Sequence, residues 1–281
     1  MATQVSLNSG AVASAGALAL QTNGTTEAVS ISTGQVATLA QNPILTSGTA
    51  NGVVYLNGSK AATSGSAVTY NGTTFATTAD ATISGLTVGK GAGAVSTNTA
   101  VGASALAATA TGNDNTGVGY IALTALTSGT ENSAFGSSAL KANTSGTDNS
   151  AFGYGALYSN TTANYNSAFG VRALLSNTTG ASNTSVGTDS LRSNTTANYN
   201  TAVGYQAAYS NTTGTLNTAV GAGALYSNTT GASNAGLGVD ALLTNSTGSF
   251  NTAIGRQSLT SNTTANNNTA VGYQAGYSNT T

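Results

Sequence analysis

The side chains that could carry out acid–base, nucleophilic or metal chemistry are few: seven carboxylates and six Lys or Arg, with no His and no Cys, in 281 residues. Without imidazole or thiolate, proton transfer would fall to carboxyl groups, and nucleophilic attack to a Ser or Thr activated by one of the scattered bases. The most regular set is Asp114, Glu131 and Asp148, each 17 residues from the next. Glycan hydrolysis by paired carboxyls needs one acid and one base, in surroundings that drive their pKa values apart. Identical surroundings give no such division. The three read as a column of like charges, which a cation could bridge or which solvent and salt could screen unaided. The Gly/Asp nonapeptide of calcium-binding β-rolls is absent. The expectation is therefore a protein that is not an enzyme, with no catalytic residue, cofactor or metal ligand.

The spacing of those acids belongs to a larger array. Eleven copies of a 17-residue repeat begin at Asn98, Asn115, Asn132, Asn149, Asn166, Asn183, Asn200, Asn217, Asn234, Asn251 and Asn268, with no insertion or deletion between them. A fixed period of this length marks stacked supersecondary units, each burying its neighbour's face. Asn at position 1 and Gly at position 5 are invariant, position 8 is always Ala or Ser, and position 9 is Leu in nine copies. Nine copies also carry Asn at position 12, followed by two Thr or Ser, as in Asn160-Thr161-Thr162. Recurrent Gly and Asn-Thr-Thr would break a helix. The Thr-Ala-Val-Gly segment suits a short strand. Glycine at position 5 would then bend the chain into a second strand ending near position 9, with positions 11–17 as the return turn.

Position 4 is apolar in every copy: Val101, Val118, Phe135, Phe152, Phe169, Val186, Val203, Val220, Leu237, Ile254 and Val271. This column is expected to form the structural core together with the Leu column. The fold class is then all-β, a parallel β-roll or β-solenoid over 98–281 with one repeat per turn, in which Val203 stacks on Val220 and Asn200 on Asn217. Two large apolar residues per 17 make a thin core against the entropy of ordering the chain. Sharing apolar faces about a threefold axis would compensate, so the expectation is an obligate parallel homotrimer.

The first 97 residues lack the period. Asn23-Gly24, Asn57-Gly58 and Asn71-Gly72 each lie between β-forming residues, the pattern of type I′ hairpin turns. We divide this part into an attachment or assembly segment, 1–44, with Pro43 at the joint, and a hairpin region, 45–97. A net charge of −1 with six isolated basic residues offers no stripe for phosphates, so nucleic acid is not an expected partner. No apolar run approaches the ~20 residues of a membrane span, and membrane insertion is not expected. The opening Met-Ala-Thr-Gln-Val-Ser has no basic leader segment. The array stops at position 14 of its last copy.

The Asn-(Thr/Ser)-Ala-(Val/Phe/Ile)-Gly core resembles the head repeats of trimeric autotransporter adhesins, whose somewhat shorter units stack as a left-handed parallel β-roll of three chains. By that resemblance the Asn-Thr-Thr-Gly stretch here is a widened turn. From Gly48-Thr49-Ala50-Asn51-Gly52-Val53-Val54-Tyr55-Leu56-Asn57-Gly58-Ser59-Lys60, through Ser84-Gly85-Leu86-Thr87-Val88-Gly89-Lys90-Gly91, to repeats such as Asn200-Thr201-Ala202-Val203-Gly204-Tyr205-Gln206-Ala207, the chain is similar to bacteriophage tail-fibre or virion-fibre proteins. The resemblance covers about residues 45–281. It implies a structural fibre on the virion surface, extracellular, with its N-terminal end against other virion or tail proteins and its repeats projecting toward the host. A bacterial trimeric surface adhesin is the alternative, and a polysaccharide-cleaving β-solenoid the third reading.

Contact with host glycan would use aromatic platforms. Tyrosines recur at position 6 (Tyr120, Tyr154, Tyr205, Tyr273) and position 10 (Tyr158, Tyr209, Tyr226, Tyr277). Of these we single out Tyr158, Tyr205, Tyr209, Tyr226, Tyr273 and Tyr277, with packing between chains as the competing explanation. Arg172 and Asp189 share position 7 of adjacent copies and would pair if the register is one repeat per turn. The Asn-Thr-Thr triplets are also N-glycosylation acceptors, as are Asn23, Asn71 and Asn183; a turn explains them without modification.

Overall fold

A computed structural model describes residues 52–56, 62–70, 75–77, 81–83 and 86–280. Segment 1–44 and all three Asn-Gly pairs lie outside them. Strands β1 (Gly52–Leu56), β2 (Ala62–Tyr70) and β3 (Phe75–Thr77) form an antiparallel three-stranded sheet, with Leu56 opposite Ala62 and Tyr70 opposite Phe75.

The rest is a parallel β-solenoid. Eleven three-residue strands, from β6 (Thr99–Val101) to β16 (Thr269–Val271), pair in sequence order within a 13-stranded sheet. Every parallel pairing advances by one repeat: Thr201 lies opposite Thr218, Ala202 opposite Ala219 and Val203 opposite Val220. At the usual strand spacing the eleven coils rise about 50 Å. Strands β4 (Ala81–Ile83) and β5 (Leu86–Gly89) add antiparallel to the first coil. The Gly89-Lys90-Gly91-Ala92-Gly93 run then follows its surface: Ala92 N–H donates to Leu106 O at 3.0 Å. A Cβ at Gly91 or Gly93 would fall within 2.5 Å of Leu106 or Ala110, so the glycines let this strap lie directly on the coil.

The interior corrects the expected core. Positions 1 and 3 face inward and positions 2 and 4 outward, as strand alternation demands. Ala134, Ala151, Ala168 and Ala202 at position 3 are fully buried, whereas Phe135, Phe169, Val186, Val220, Leu237, Ile254 and Val271 at position 4 are exposed and Val101, Val118, Phe152 and Val203 only partly covered. The position-4 column is not the core of the coil. The cause is its narrow cross-section, filled from the opposite wall by the buried leucines of position 9, such as Leu157, Leu174 and Leu191. Where position 3 is glycine, at Gly117 and Gly236, a Cβ would meet the Cγ of Leu106 and Leu225 at 3.5 and 3.4 Å. The largest side chain at this position is the fully buried Ser185, whose Oγ donates to Ser190 O at 2.8 Å.

Nor does a second strand run through positions 6–9; the chain turns there. Positions 7, 9 and 17 take the left-handed conformation even without glycine, with φ of 57° at Arg172, 52° at Leu174 and 61° at Tyr165. That conformation costs an L-residue roughly 1–2 kcal/mol. In exchange it turns each N–H along the solenoid axis: Arg172 donates to Tyr154 O of the preceding coil, Leu174 to Ser190 O of the following one, and Tyr165 to Thr147 O. At position 5, Gly153 adopts φ 133°, and a Cβ there would lie 2.6 Å from Gly170 O, which excludes any side chain.

One asparagine ladder runs through the coils at position 1 from Asn98, and a second at position 12 from Asn143, both buried until the last coil. Asn166 Oδ1 accepts the Asn183 backbone N–H at 3.0 Å, and Asn177 Nδ2 donates to Asn160 Oδ1 at 3.0 Å. Both ladders also converge on one carbonyl, since Gly180 O accepts Asn166 Nδ2 at 2.9 Å and Asn177 Nδ2 at 2.8 Å. This shared acceptor satisfies buried amides that would otherwise be costly.

Candidate functional site

The outer surface carries most of the variation between copies. Along position 4, Phe135, Phe152 and Phe169 stack with centroids 4.8 Å apart and planes within 7°. Beside this row stand the exposed rings of position 6, Tyr120, Tyr154, Tyr205 and Tyr273. Position 17 adds Tyr165, Tyr199 and Phe250, each more than 60% exposed. These last were not singled out from sequence, because position 17 begins as an acidic column and turns aromatic only in later copies.

The tyrosines of position 10 differ. Lys141 Nζ donates to Tyr158 Oη at 2.9 Å and lies 5.0 Å from its ring centroid. This bond, with the Coulombic pull of the same phenol, raises the Lys141 pKa. Arg192 sits 5.5 Å over the Tyr209 ring, and Tyr209 stacks on Tyr226 at 5.1 Å. Tyr158 and Tyr209 are therefore already engaged within the chain, whereas Tyr205, Tyr273 and Tyr277 present exposed rings.

Asp114, Glu131 and Asp148 do form a column along position 17. The Glu131 pKa is raised above its ordinary 4.5, first by a hydrogen bond shared with Asp148, then by repulsion from it, with smaller contributions from desolvation and from Asp114. Asn113 Nδ2 donates to Asp114 Oδ2 at 2.7 Å. Among the described residues no group of three His, Cys, Asp or Glu side chains is arranged to hold a metal ion.

Asp189 is the best-furnished charge among the described residues. Arg172 Nη2, one coil earlier at the same position, donates to its Oδ2 at 2.8 Å, and Arg192 Nε approaches Oδ1 at 3.3 Å without hydrogen-bond geometry. The first pair is the one that the one-repeat register requires. The second joins positions 7 and 10 of one coil, a proximity set by the turn and not by the repeat.

No family model, curated protein or solved structure matches the chain.

The geometry also bears on the glycosylation triplets. The Asn of Asn160-Thr161-Thr162, Asn177-Thr178-Thr179 and Asn194-Thr195-Thr196 is fully buried, and its amide nitrogen is committed to the ladder. Asn183 is likewise buried, with Nδ2 bonded to Ala197 O at 2.8 Å. A glycan on any of these nitrogens is incompatible with the folded coil. What remains for function is an outer face of apolar, aromatic and a few charged rows on a rigid support.

Proposed function

We propose that the chain is a structural fibre of a phage particle, a parallel homotrimer on the virion surface that projects toward the host and contributes to attachment. Its role is mechanical and not catalytic. The observation that carries this reading is the outward row at position 4, apolar in all eleven coils, exposed at seven of them and partly covered at the other four, with Phe169 and Ile254 each 41% exposed. Contiguous apolar surface of this extent marks an interface. Three such rows, each straight and in one register, match one another about a common axis, and each chain's thin core gains the apolar burial it lacks alone. The acid column supports the non-catalytic part: its members lie at one repeat position, along a single column instead of facing each other across a cleft.

The test is native mass spectrometry and sedimentation of the full chain. A trimer is expected for the wild type, and Phe152→Asp, which would place three carboxylates along the shared face, is expected to prevent assembly. A wild-type chain that stays folded and monomeric in dilute solution overturns the reading.

A further inference from the structure

Asp240 occupies position 7, the same place in its coil as Asp189, but both cationic partners of that site are replaced. One coil earlier Gly223 stands where Asp189 has Arg172, and in its own coil Leu243 stands where Asp189 has Arg192. No described residue forms an ion pair with Asp240. The carboxylate does not turn out to solvent. It is half-buried, and its Oδ1 lies 2.6 Å from where a Cβ on Gly223 would be, so it leans into the space an arginine would fill.

That space is an open notch of about 470 Å³. It exists because one coil carries Ala222 and Gly223 at positions 6 and 7, between coils carrying Tyr205 and Gln206 on one side and Val239 and Asp240 on the other. The flanking coils are two strand spacings apart, about 10 Å. Tyr205 and Tyr226 supply aromatic walls, and Tyr226 continues the row in which Arg192 already lies over Tyr209.

We propose that this notch is a guanidinium-binding site that takes an arginine side chain of a partner protein. The chain itself contains the filled version. At Asp189 a guanidinium bonds the carboxylate and a second one bridges from the carboxylate to a tyrosine. An incoming arginine would repeat both contacts at once, with its charge on Asp240 and its plane against the aromatic wall. A neutral sugar would leave the carboxylate's charge uncompensated. A single, partly exposed pair of this kind is weak, so binding in the millimolar range is expected, strengthened where several copies of the chain present the notch together. The proposal does not depend on the fibre reading.

Saturation-transfer NMR on the full chain tests it, with N-acetyl-arginine amide as probe and the citrulline analogue as its uncharged counterpart. Saturation of the arginine methylene protons is expected, with about two- to fivefold weaker transfer to citrulline. Asp240→Asn should lower arginine affinity about two- to fivefold. Gly223→Arg should abolish it by filling the notch from within, and the backbone tolerates that change because Arg172 holds φ 57° at the same position. Equal binding of citrulline, unchanged binding by either variant, or binding of glucosamine where arginine does not bind would each overturn the proposal.

Discussion

The inside and the outside of this solenoid obey different rules. Inward positions 1, 3, 8, 9 and 12 are nearly fixed across the array, whereas outward positions 6, 7, 10 and 17 change from coil to coil among Tyr, Val, Ser, Gly and charged residues. An inward residue meets its own kind in the coils before and after it, so each site must fit twice. An outward residue meets neighbours only along one surface column, and a change there alters chemistry without disturbing the coil. Position 4 combines the two patterns. It is constant in character yet points outward, as the proposed contact between chains would require.

The sharpest break of this contrast is in the leucine column. Leu174→Ala is expected to cost about 2–5 kcal/mol, because the narrow interior cannot collapse around the lost side chain. Tyr199→Ala, on the exposed position-17 row, should stay within about 0.5 kcal/mol. Denaturant midpoints, with hydrogen exchange locating the weakened coils, would measure both. A comparable loss for the two would mean that inside and outside are not energetically distinct.

A smaller effect is expected in the asparagine ladder. Asn177→Ala removes the Nδ2 bonds to Asn160 Oδ1 and Gly180 O, and leaves Asn194 Nδ2 without its 2.8 Å acceptor. About 1–3 kcal/mol should be lost. The chain contains a milder alternative at the same position, the fully buried Leu126. Asn143→Leu, which would extend that apolar patch by one coil, should therefore be less damaging than Asn177→Ala. The same denaturation assay decides, and the reverse ranking would show that the ladder matters less than its length suggests.

The smallest effect concerns the acid column. Because the Glu131 pKa is raised in the folded chain, the folded state holds this proton more tightly than the unfolded one. Stability associated with it is present at low pH and declines as pH rises from about 4.5 through the raised value. Glu131→Gln should flatten that decline. Melting temperatures of wild type and variant, followed from pH 4 upward, should diverge in this direction; convergence at higher pH would show that the column carries no strain.

Much of this was legible in the sequence because periodicity alone dictates register. An unbroken 17-residue spacing places Val203 on Val220 and Arg172 against Asp189 without any knowledge of coil shape. Which face each column takes was not legible from size and hydrophobicity. Position 4 carries the larger apolar side chains and position 3 the smaller, yet the inward place went to the smaller, since Leu at position 9 fills the interior from across the coil. The turn at positions 6–9 was hidden for another reason. Left-handed φ at Leu174 or Arg172 goes against the intrinsic preference of those residues and is imposed by axial hydrogen bonds that exist only once coils stack. The Asp240 notch escaped notice because it consists of what its coil lacks, an arginine at position 223.

The absence of any insertion between copies also has a hereditary consequence. Recombination that gains or drops 17 codons, wherever the crossover falls within the array, would return a chain with every inward column still continuous. Its length would change by one strand spacing, about 4.8 Å. Reach could thus vary in lineages by quantised steps, almost without risk to folding, while features that depend on the order of neighbouring coils, such as the arginines about Asp189, would be kept only where selection held that order.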